Sequence, residues 1–302
     1  MTQTAESVAT KRSLLPQHLA DLRKSGLSDA TIKACGFHSL THSGHVRLAL
    51  RWKEYGGKLG PCLAIPFVDV NGKPTNYCRL KPDRPRKGKD GKPVKYESPK
   101  GAPNLPYFPP GTLAAINDPS TPLIITEGEK KVAKADQEGF HGIGLVGVYG
   151  WQKKRPRDAT TGQASGPREL IDGLAAVRWE GRLIYLCYDS DVADNRDVLW
   201  AEWHLAQALC ERGATVRVVR LSPGQPGPDG KPAKVGLDDY LVARGHRRSA
   251  SCSTVRPSRH GPWSRFRQAV PTRRMRRPTT RTGWPGCSSP PQRWPAPTVL
   301  PP

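Results

Sequence analysis

The chain has 302 residues, which is enough for about two domains of ordinary size. It carries 48 Lys and Arg against 26 Asp and Glu, a net charge of +22, and 36% of its residues are hydrophobic. No apolar run approaches the roughly 20 residues of a membrane-spanning helix, and the first residues lack the apolar stretch of a secretory signal. We therefore expect a protein without membrane contact, in a reducing cytoplasm.

The spacing of the cysteines argues against two further classes of protein. They are scattered along the chain and contain no C-x-x-C pair, which argues against a zinc ribbon and against a disulfide scaffold. They are Cys35, Cys62, Cys78, Cys187, Cys210, Cys252 and Cys287.

Residues 1–45 predict a helical lead-in. Leu15, Leu19 and Leu22 have helical spacing. Ser28 is a predicted N-cap for a second short helix, which runs through Ala34 and stops at Gly36.

Residues 46–121 predict a small basic α+β subdomain. CLAIPFVDV and TNYCRL, joined by an Asn-Gly turn, predict a β-hairpin over residues 62–81. The next segment, up to residue 95, is rich in Pro, Gly and cations. We expect it to be an exposed, mobile loop.

Residues 122–245 alternate between strand and helix patterns. Predicted strands cover residues 123–126, 142–148, 182–188 and 215–221, and predicted helices cover 129–139, 192–212 and 239–244. Such alternation predicts an α/β fold with a parallel sheet covered by helices on both faces. Sites in these sheets form at the carboxyl ends of the strands.

Residues 246–302 contain twelve Arg, eleven Pro and three Trp but no Lys, Asp or Glu. So little aliphatic content predicts a disordered tail. It could be an Arg-rich nucleic-acid tail, but the composition better fits G+C-rich coding sequence read out of frame, without selected function. Residues 1–245 keep a net charge of +10, which points to a polyanionic partner.

Acidic residues follow three of the predicted elements. Glu127 follows the first strand, Asp189 and Asp191 follow the third, and Asp238 and Asp239 follow the last strand and its loop. Carboxylates about 4 Å apart repel by roughly 4 kcal/mol at an effective dielectric constant near 20. Gathering them requires a cation, for which Mg²⁺ (or Mn²⁺) is suited.

Each acidic residue also has a structural interpretation. Thr126 and Glu129 could form a capping box around Glu127, and Asp191 could cap the following helix. The order of all three acidic segments at strand ends favours a metal site for phosphoryl transfer.

The pattern Glu127-Gly128 after one strand and Asp189-Ser190-Asp191 after another resembles the Toprim family, found in bacterial-type primases, topoisomerases and some nucleases. Upstream, AIPFVDVNGK, KYESPKG and PYF before LIITEGE resemble the catalytic core of bacterial and phage primases. TEGEKK and GLVGVYGW look more like divergent Toprim proteins of phages and plasmids, of the type called DUF3854. The resemblance implies a Toprim-like parallel sheet.

The resemblance also implies the functional residues. Glu127, Asp189 and Asp191 would be catalytic and metal-binding, with Asp238 as a further metal ligand. Lys95 matches the lysine of a primase Lys-Tyr segment that contacts phosphates or template, and the resemblance implies that it too is catalytic. The implied partners are single-stranded DNA and nucleoside triphosphates. The candidate nucleic-acid-binding residues are Arg79, Lys81, Arg84, Arg86, Lys87 and Lys95.

Other functions stay open at this point. The same metal cluster could serve a nuclease, and a DNA-binding accessory protein could retain the site without activity. A topoisomerase would need a large tyrosine-bearing domain, for which the chain has no room. No G-x-x-x-x-G-K-[ST] loop is present, so helicase engagement would come from a separate protein or from a C-terminus lost through a frame change. A second basic cluster, Lys153, Lys154, Arg155 and Arg157, is interpreted as a solvated loop.

Overall fold

The computed structural model describes residues 13–54, 58–250 and 272–275. The contacts between Cα atoms divide the chain into two compact units. Unit 1 consists of Met1–Lys24, Ser28–Pro66 and Thr75–Ala102, and unit 2 of Ser25–Leu27, Phe67–Pro74 and Pro103–Pro302.

Unit 1 contains three short helices and most of a three-stranded sheet of order β1-β2-β3. The helices are α1 (Pro16–Lys24), α2 (Asp29–Ala34) and α3 (Ser43–Leu50), and the strands are β1 (His38–Leu40), β2 (Cys62–Val68) and β3 (Pro74–Pro82). The predicted hairpin is therefore present. β1 and α3, which no pattern predicted, extend the unit.

The helical lead-in forms as its capping residues predict. Oγ of Ser28 accepts a hydrogen bond from the backbone N–H of Thr31 at 3.2 Å, which satisfies one donor of the first turn of α2. Gly36 has a φ of 68°, the left-handed conformation that commonly ends a helix.

The cationic segment after β3 folds back on itself. The backbone N–H of Gly88 donates to the carbonyl of Lys92 at 2.7 Å, and that of Val94 donates to Arg86 at 2.8 Å. The predicted exposure of this segment is confirmed for most of its side chains, and its backbone forms a small hairpin.

Unit 2 is built on a five-stranded sheet of order β5-β4-β6-β7-β8. The first four of these strands are parallel and β8 is antiparallel. The strands are β4 (Leu123–Glu127), β5 (Gly142–Leu145), β6 (Leu183–Cys187), β7 (Thr215–Val219) and β8 (Thr272–Met275). The helices are α4 (Pro110–Ala115), α5 (Glu129–Gln137), α6 (Asp172–Ala175), α7 (Arg196–Cys210) and α8 (Leu237–Ala250).

Two apolar cores cover the two faces of this sheet. Along β4, Ile125 belongs to the larger core, which includes α6 and α7, whereas Ile124 belongs to the smaller core, which includes side chains of α5 and α8. Adjacent strand residues face opposite sides of a sheet, so each face buries its own set. The predicted α/β class with a parallel sheet between helices is confirmed.

The region around residue 195 differs from the prediction of one long helix. A 3-10 helix covers Ser190–Asp194, and α7 begins at Arg196. Oδ1 of Asn195 accepts from the backbone N–H groups of Asp197 and Val198 at 3.1 and 3.4 Å. This cap starts a new helix and separates the acidic segment from α7.

Two parts of the segment with disorder-prone composition have regular structure. α8 continues to Ala250, and Thr272–Met275 pairs with β7 at the edge of the sheet. Residues 251–271 and 276–302, on which the rest of that prediction falls, lie outside the described residues. None of the helices in the described ranges combines the length and apolar character needed to cross a bilayer.

Candidate active site

Two acidic segments lie at the ends of neighbouring strands in unit 2. β4 and β6 pair in parallel, with Ile125 opposite Leu186. Continuing this register brings Glu127 opposite Tyr188, directly before Asp189. Because paired strands lie about 4.8 Å apart, both segments share one edge of the sheet.

Glycine forms the turn from β4 into α5. Gly128 has a φ of 103°, which side-chain-bearing residues rarely adopt. It stands at the N-cap of α5 without a side-chain cap, so the capping box of Thr126 and Glu129 does not form. The capping role considered for Asp191 is also wrong, because Asn195 caps α7.

Asp189 is the centre of the charged contacts at this edge. Its side chain is 10% exposed and contacts two lysines. Nζ of Lys131, from α5, donates to Oδ1, and Nζ of Lys234 lies 3.0 Å from Oδ2. Nζ of Lys234 also donates to Oδ2 of Asp191 at 2.9 Å. Two ammonium groups therefore neutralise two carboxylates.

Asp238 joins this cluster from the start of α8. A Cβ on Gly236 would lie 2.8 Å from Oδ1 of Asp238, 2.9 Å from Cε of Lys131 and 3.4 Å from Oδ1 of Asp189. These three side chains thus surround one point beside Gly236, and any larger residue there would displace them. The backbone N–H of Gly236 donates to Oδ2 of Asp239 at 2.9 Å, which fixes the loop before α8.

The acidic segment and the Lys234 loop are also joined by backbone contacts. The N–H of Ser190 donates to the carbonyl of Val235, and the N–H of Val235 donates to Oγ of Ser190, both at 2.9 Å. Burial lowers the pKa of Lys234, but its hydrogen bonds to Asp191 and Asp189 outweigh this effect and the net shift is upward. Lys234 is therefore fully charged at neutral pH.

Glu127 lies near the phenol of Tyr188. Burial raises the pKa of Tyr188 well above its ordinary value, and the charges of Glu202 and Glu127 add to the shift. The Tyr188 hydroxyl is buried without a hydrogen-bond partner among the described residues. The phenol therefore remains protonated beside Glu127.

The structure assembles part of the predicted acidic site. Asp189 and Asp191 share Lys234, and Asp238 lies beside Asp189. Across residues 13–54, 58–250 and 272–275, no group of three or more His, Cys, Asp or Glu side chains has an arrangement that could hold a metal ion. Instead, Lys131 and Lys234 form ion pairs with the carboxylates of Asp189 and Asp191.

The sequence patterns did not predict these two lysines as site residues. Lys131 was visible in TEGEKK, one helical turn after Glu127, where its side chain faces the same sheet edge. Lys234 gave no local signal, because only the fold brings the loop before Asp238 to Asp189.

The predicted nucleic-acid-binding residues lie in unit 1, and three of them have internal partners. Nζ of Lys81 lies 2.5 Å from Oδ1 of Asp21, and Nη2 of Arg86 donates to Oε2 of Glu97 at 3.0 Å. The guanidinium of Arg79 lies 4.8 Å above the ring of Tyr96. Part of the predicted cationic surface is thus used within the unit.

The other three predicted cations are exposed. Arg84, Lys87 and Lys95 point to solvent, and no carboxylate of the described residues lies within ion-pair distance of them. Lys95 stands two residues before Glu97, which pairs with Leu80 of β3 through two backbone hydrogen bonds of 2.9 and 2.8 Å. Pairing with β3 therefore fixes the backbone next to Lys95.

The fold is similar to that of a bacterial primase catalytic core. The crystal structure of the Aquifex aeolicus primase, comprising its zinc-binding and RNA polymerase domains, aligns with a TM-score of 0.50 and 13% identity over 78% of this chain and 55% of that chain. A structure described as the DnaG catalytic core aligns with a TM-score of 0.44 and 17% identity, over 78% and 70% of the two chains.

Comparison of the sequence finds similarity to one family and to one further protein. Residues 114–248 match the family described as "Domain of unknown function (DUF3854)". An uncharacterized protein of Picosynechococcus sp. is 30% identical over 205 residues, which cover 59% of this chain and 20% of that protein. The chain thus spans about a fifth of this curated relative. The predicted resemblance to DUF3854-type, primase-like proteins is confirmed.

Proposed function

We propose that this protein is a primase-like nucleotidyltransferase of a phage or plasmid element, which joins nucleotides on a single-stranded DNA template with Mg²⁺ (or Mn²⁺) as its cofactor. The observation that carries this proposal is the charged cluster of Asp189, Asp191 and Asp238 with Lys131 and Lys234 at the carboxyl edge of the parallel sheet. The similarity to a primase fold supports the choice of reaction.

The donor set suits a divalent cation in its chemistry. Glu127, Asp189, Asp191 and Asp238 offer only carboxylate oxygens, the ligands that Mg²⁺ prefers. An ion there would compete with the two lysines for oxygens of Asp189. Of the two, Lys234 is 56% exposed, against 22% for Lys131, so Lys234 can leave at the smaller cost. When bound, the ion would neutralise charge on the reacting phosphates.

The protein's own residues divide the remaining tasks. Asp189 and Asp191 would hold the ion through their carboxylate oxygens, with Glu127 and Asp238 as the further acidic groups of this edge. Lys131 and Lys234, once released from Asp189, can donate to the oxygens of a nucleoside triphosphate and stabilise the charge that develops as pyrophosphate leaves.

Unit 1 supplies the proposed template contacts. Arg84, Lys87 and Lys95 are exposed cations without acidic partners in the described ranges, so each can bind a DNA phosphate. Arg79, Lys81 and Arg86 would contribute only by exchanging their internal partners. Affinity that depends on phosphates falls steeply with salt. A separate helicase would deliver the template.

Primer synthesis is the direct test. The full chain is incubated with Mg²⁺, labelled single-stranded DNA and ribo- or deoxynucleoside triphosphates. We expect new strands that depend on both metal and nucleotides, and at least a 100-fold loss of synthesis for Asp189→Asn. Asp172→Asn is the matched control, because its side chain is 92% exposed and, among the described residues, Lys153 is its ion-pair partner.

The alternatives give different results in the same experiment. Shortening of the labelled DNA without nucleotides would identify a nuclease. DNA binding without synthesis or cleavage, unchanged in Asp189→Asn, would identify an accessory protein. Either outcome would overturn the proposed polymerase activity.

A further inference from the structure

Three ring side chains form a cluster on α7 that the candidate active site does not use. The indoles of Trp200 and Trp203 are nearly parallel, with centroids 5.7 Å apart and an interplanar angle of 18°. The ring of His204 stands edge-on to both, with centroid distances of 4.4 and 4.8 Å. All three side chains are partly exposed. We call Trp200, Trp203 and His204 the tryptophan platform.

Core packing does not explain the platform. α7 packs on the sheet through Leu205, Ala206 and Leu209, all fully buried in the larger core. Neither tryptophan is among the side chains packed against that core. Partly exposed aromatic groups that do not pack into the core commonly contribute to a binding surface.

Two arginines act through their charge on His204. Burial of the ring is the largest cause that lowers the pKa of His204 to about 4, and the positive charges of Arg168 and Arg155 lower it further. His204 is therefore neutral at pH 7 and contributes a ring, not a charge. Tyr149 ties the loop that carries both arginines to α7, because its hydroxyl donates to the carbonyl of Asp197 at 3.0 Å.

In the part of the chain that the structure describes, no acidic side chain pairs with either arginine. Arg155 donates to the carbonyls of Ala164, Ser165 and Gly166 at 2.9–3.2 Å. Arg168 donates to Oε1 of Gln152 at 3.0 Å. These acceptors are neutral, and within the described ranges no carboxylate forms an ion pair with either guanidinium.

The platform also lies near the acidic edge. Trp200 is four residues after Arg196, where α7 begins, which corresponds to about 6 Å along the helix axis. The 3-10 helix that contains Asp191 ends directly before the Asn195 cap of α7. A ligand bound to the platform would therefore lie close to the segment that contains Asp189 and Asp191.

We propose that Trp200, Trp203, Arg155 and Arg168 form a second binding surface for single-stranded nucleic acid, on which bases stack against the indoles while the guanidinium groups bind phosphates. Flat aromatic faces beside uncompensated cations fit this polymer better than a protein surface, because every base offers a stacking face and every nucleotide an anion. The assignment of this surface as a template contact rests on the proposed function.

The test measures binding separately from synthesis. Fluorescence anisotropy of labelled oligo-dT with the full chain is compared for the native protein and the double variant Trp200→Ala/Trp203→Ala. We expect about a tenfold or larger loss of affinity for the double variant. Trp200→Phe/Trp203→Phe should keep most of the affinity because phenyl rings still stack, and Gln207→Ala on the same helix is the control.

Salt dependence identifies the arginine contacts. Arg155→Ala and Arg168→Ala should each reduce the slope of log affinity against log salt by about one. Circular dichroism and thermal unfolding confirm that each variant is folded. An affinity within twofold of the native protein for the double alanine variant, or no binding of oligo-dT by the native protein, would overturn the proposal.

The result is separable from the proposed catalysis. If the native protein synthesises nothing but the alanine variant loses DNA affinity, the platform stands and the polymerase proposal fails. If synthesis occurs and the alanine variant needs no more template than the native protein, the platform is not a template contact and the inference fails.

Discussion

Two carboxylates in unit 2 are neutralised in different ways. Glu202, on α7, accepts two hydrogen bonds from Arg220, which follows β7, at 2.7 and 2.5 Å. Its side chain is 1% exposed. Asp189 is nearly as buried but contacts two lysines, and one of them, Lys234, is mostly exposed.

The difference lies in how readily each cation can be exchanged. Arginine binds a carboxylate through a rigid fork, whereas lysine is a point charge on a flexible stem. Burial raises the pKa of Glu202, and Arg220 opposes that shift. Glu202 and Arg220 therefore form a permanent structural pair, whereas Asp189 can give up Lys234 for another cation.

Removing the arginine has the largest expected effect on stability. Arg220→Ala leaves the buried carboxylate of Glu202 unpaired, and breaking a buried pair in this way destabilises proteins by about 3–5 kcal/mol. Denaturant unfolding of the variant measures this loss.

The control is an exposed pair of similar geometry. Nε and Nη2 of Arg23 bind Asp29 at 3.0 and 2.8 Å, on the surface. Arg23→Ala should not change the free energy of unfolding measurably. Equal losses in the two variants would show that Glu202 and Arg220 are not a structural pair.

The thiol of Cys187 responds to both carboxylates, because the charges of Asp189 and Glu202 both act on it. Burial raises the pKa of this thiol far above its ordinary value, and the charges of Asp189 and Glu202 add to the shift. Only thiolates react rapidly, so alkylation of native Cys187 at pH 8 should require unfolding. With a loss of 3–5 kcal/mol, Arg220→Ala should accelerate alkylation by about 10²–10⁴-fold.

Peptide mass spectrometry can follow this thiol among the others. Asp189→Asn should leave alkylation of Cys187 slow, because its neighbours Lys131 and Lys234 can turn to solvent. Rapid alkylation of Cys187 in the native protein, or in Asp189→Asn, would contradict the assignment of the structural role to Glu202 alone.

Lys234→Ala tests whether Asp189 accepts another cation. The variant removes a competitor from two carboxylates, and exposed ion pairs of this kind contribute about 0.2–1 kcal/mol. We therefore expect Mg²⁺ to bind about 1.4- to fivefold more tightly, as measured by isothermal titration calorimetry. Lys154→Ala is the control. Unchanged or weaker Mg²⁺ binding by Lys234→Ala would contradict the exchange.

The sequence predicted the parts of the fold that local patterns encode. Buried strands followed by helices defined β4, β6 and β7, and Ser28 and Gly36 defined α2. The short edge strand β1 had no such pattern, because its three half-buried residues depend on pairing with β2. The break before α7 depends on one capping side chain, Asn195, inside an otherwise helical stretch.

The site was predictable in its acidic half. Carboxylates after parallel strands must meet at one edge, which placed Glu127 and Asp189 together. Lys234 comes from a loop 45 residues after Asp189, and the tryptophans resemble core positions of an amphipathic helix. In both cases only the tertiary structure shows which face each side chain occupies.

Glu202 and His204 lie on different sides of α7. We expect His204, through its lowered pKa, to make the free energy of unfolding depend on pH. The pKa of His204 falls from its ordinary 6.5 to about 4, through burial and then through the charges of Arg168 and Arg155. Between these pH values the unfolded chain binds a proton that the folded chain does not, so the free energy of unfolding falls as pH decreases. Above about pH 7 this residue adds no pH dependence.

His204→Gln should lose less stability between pH 7 and pH 5 than the native protein in denaturant unfolding, with Glu202 and Arg220 unchanged. If both proteins lose the same amount, His204 is not the group that titrates on this helix.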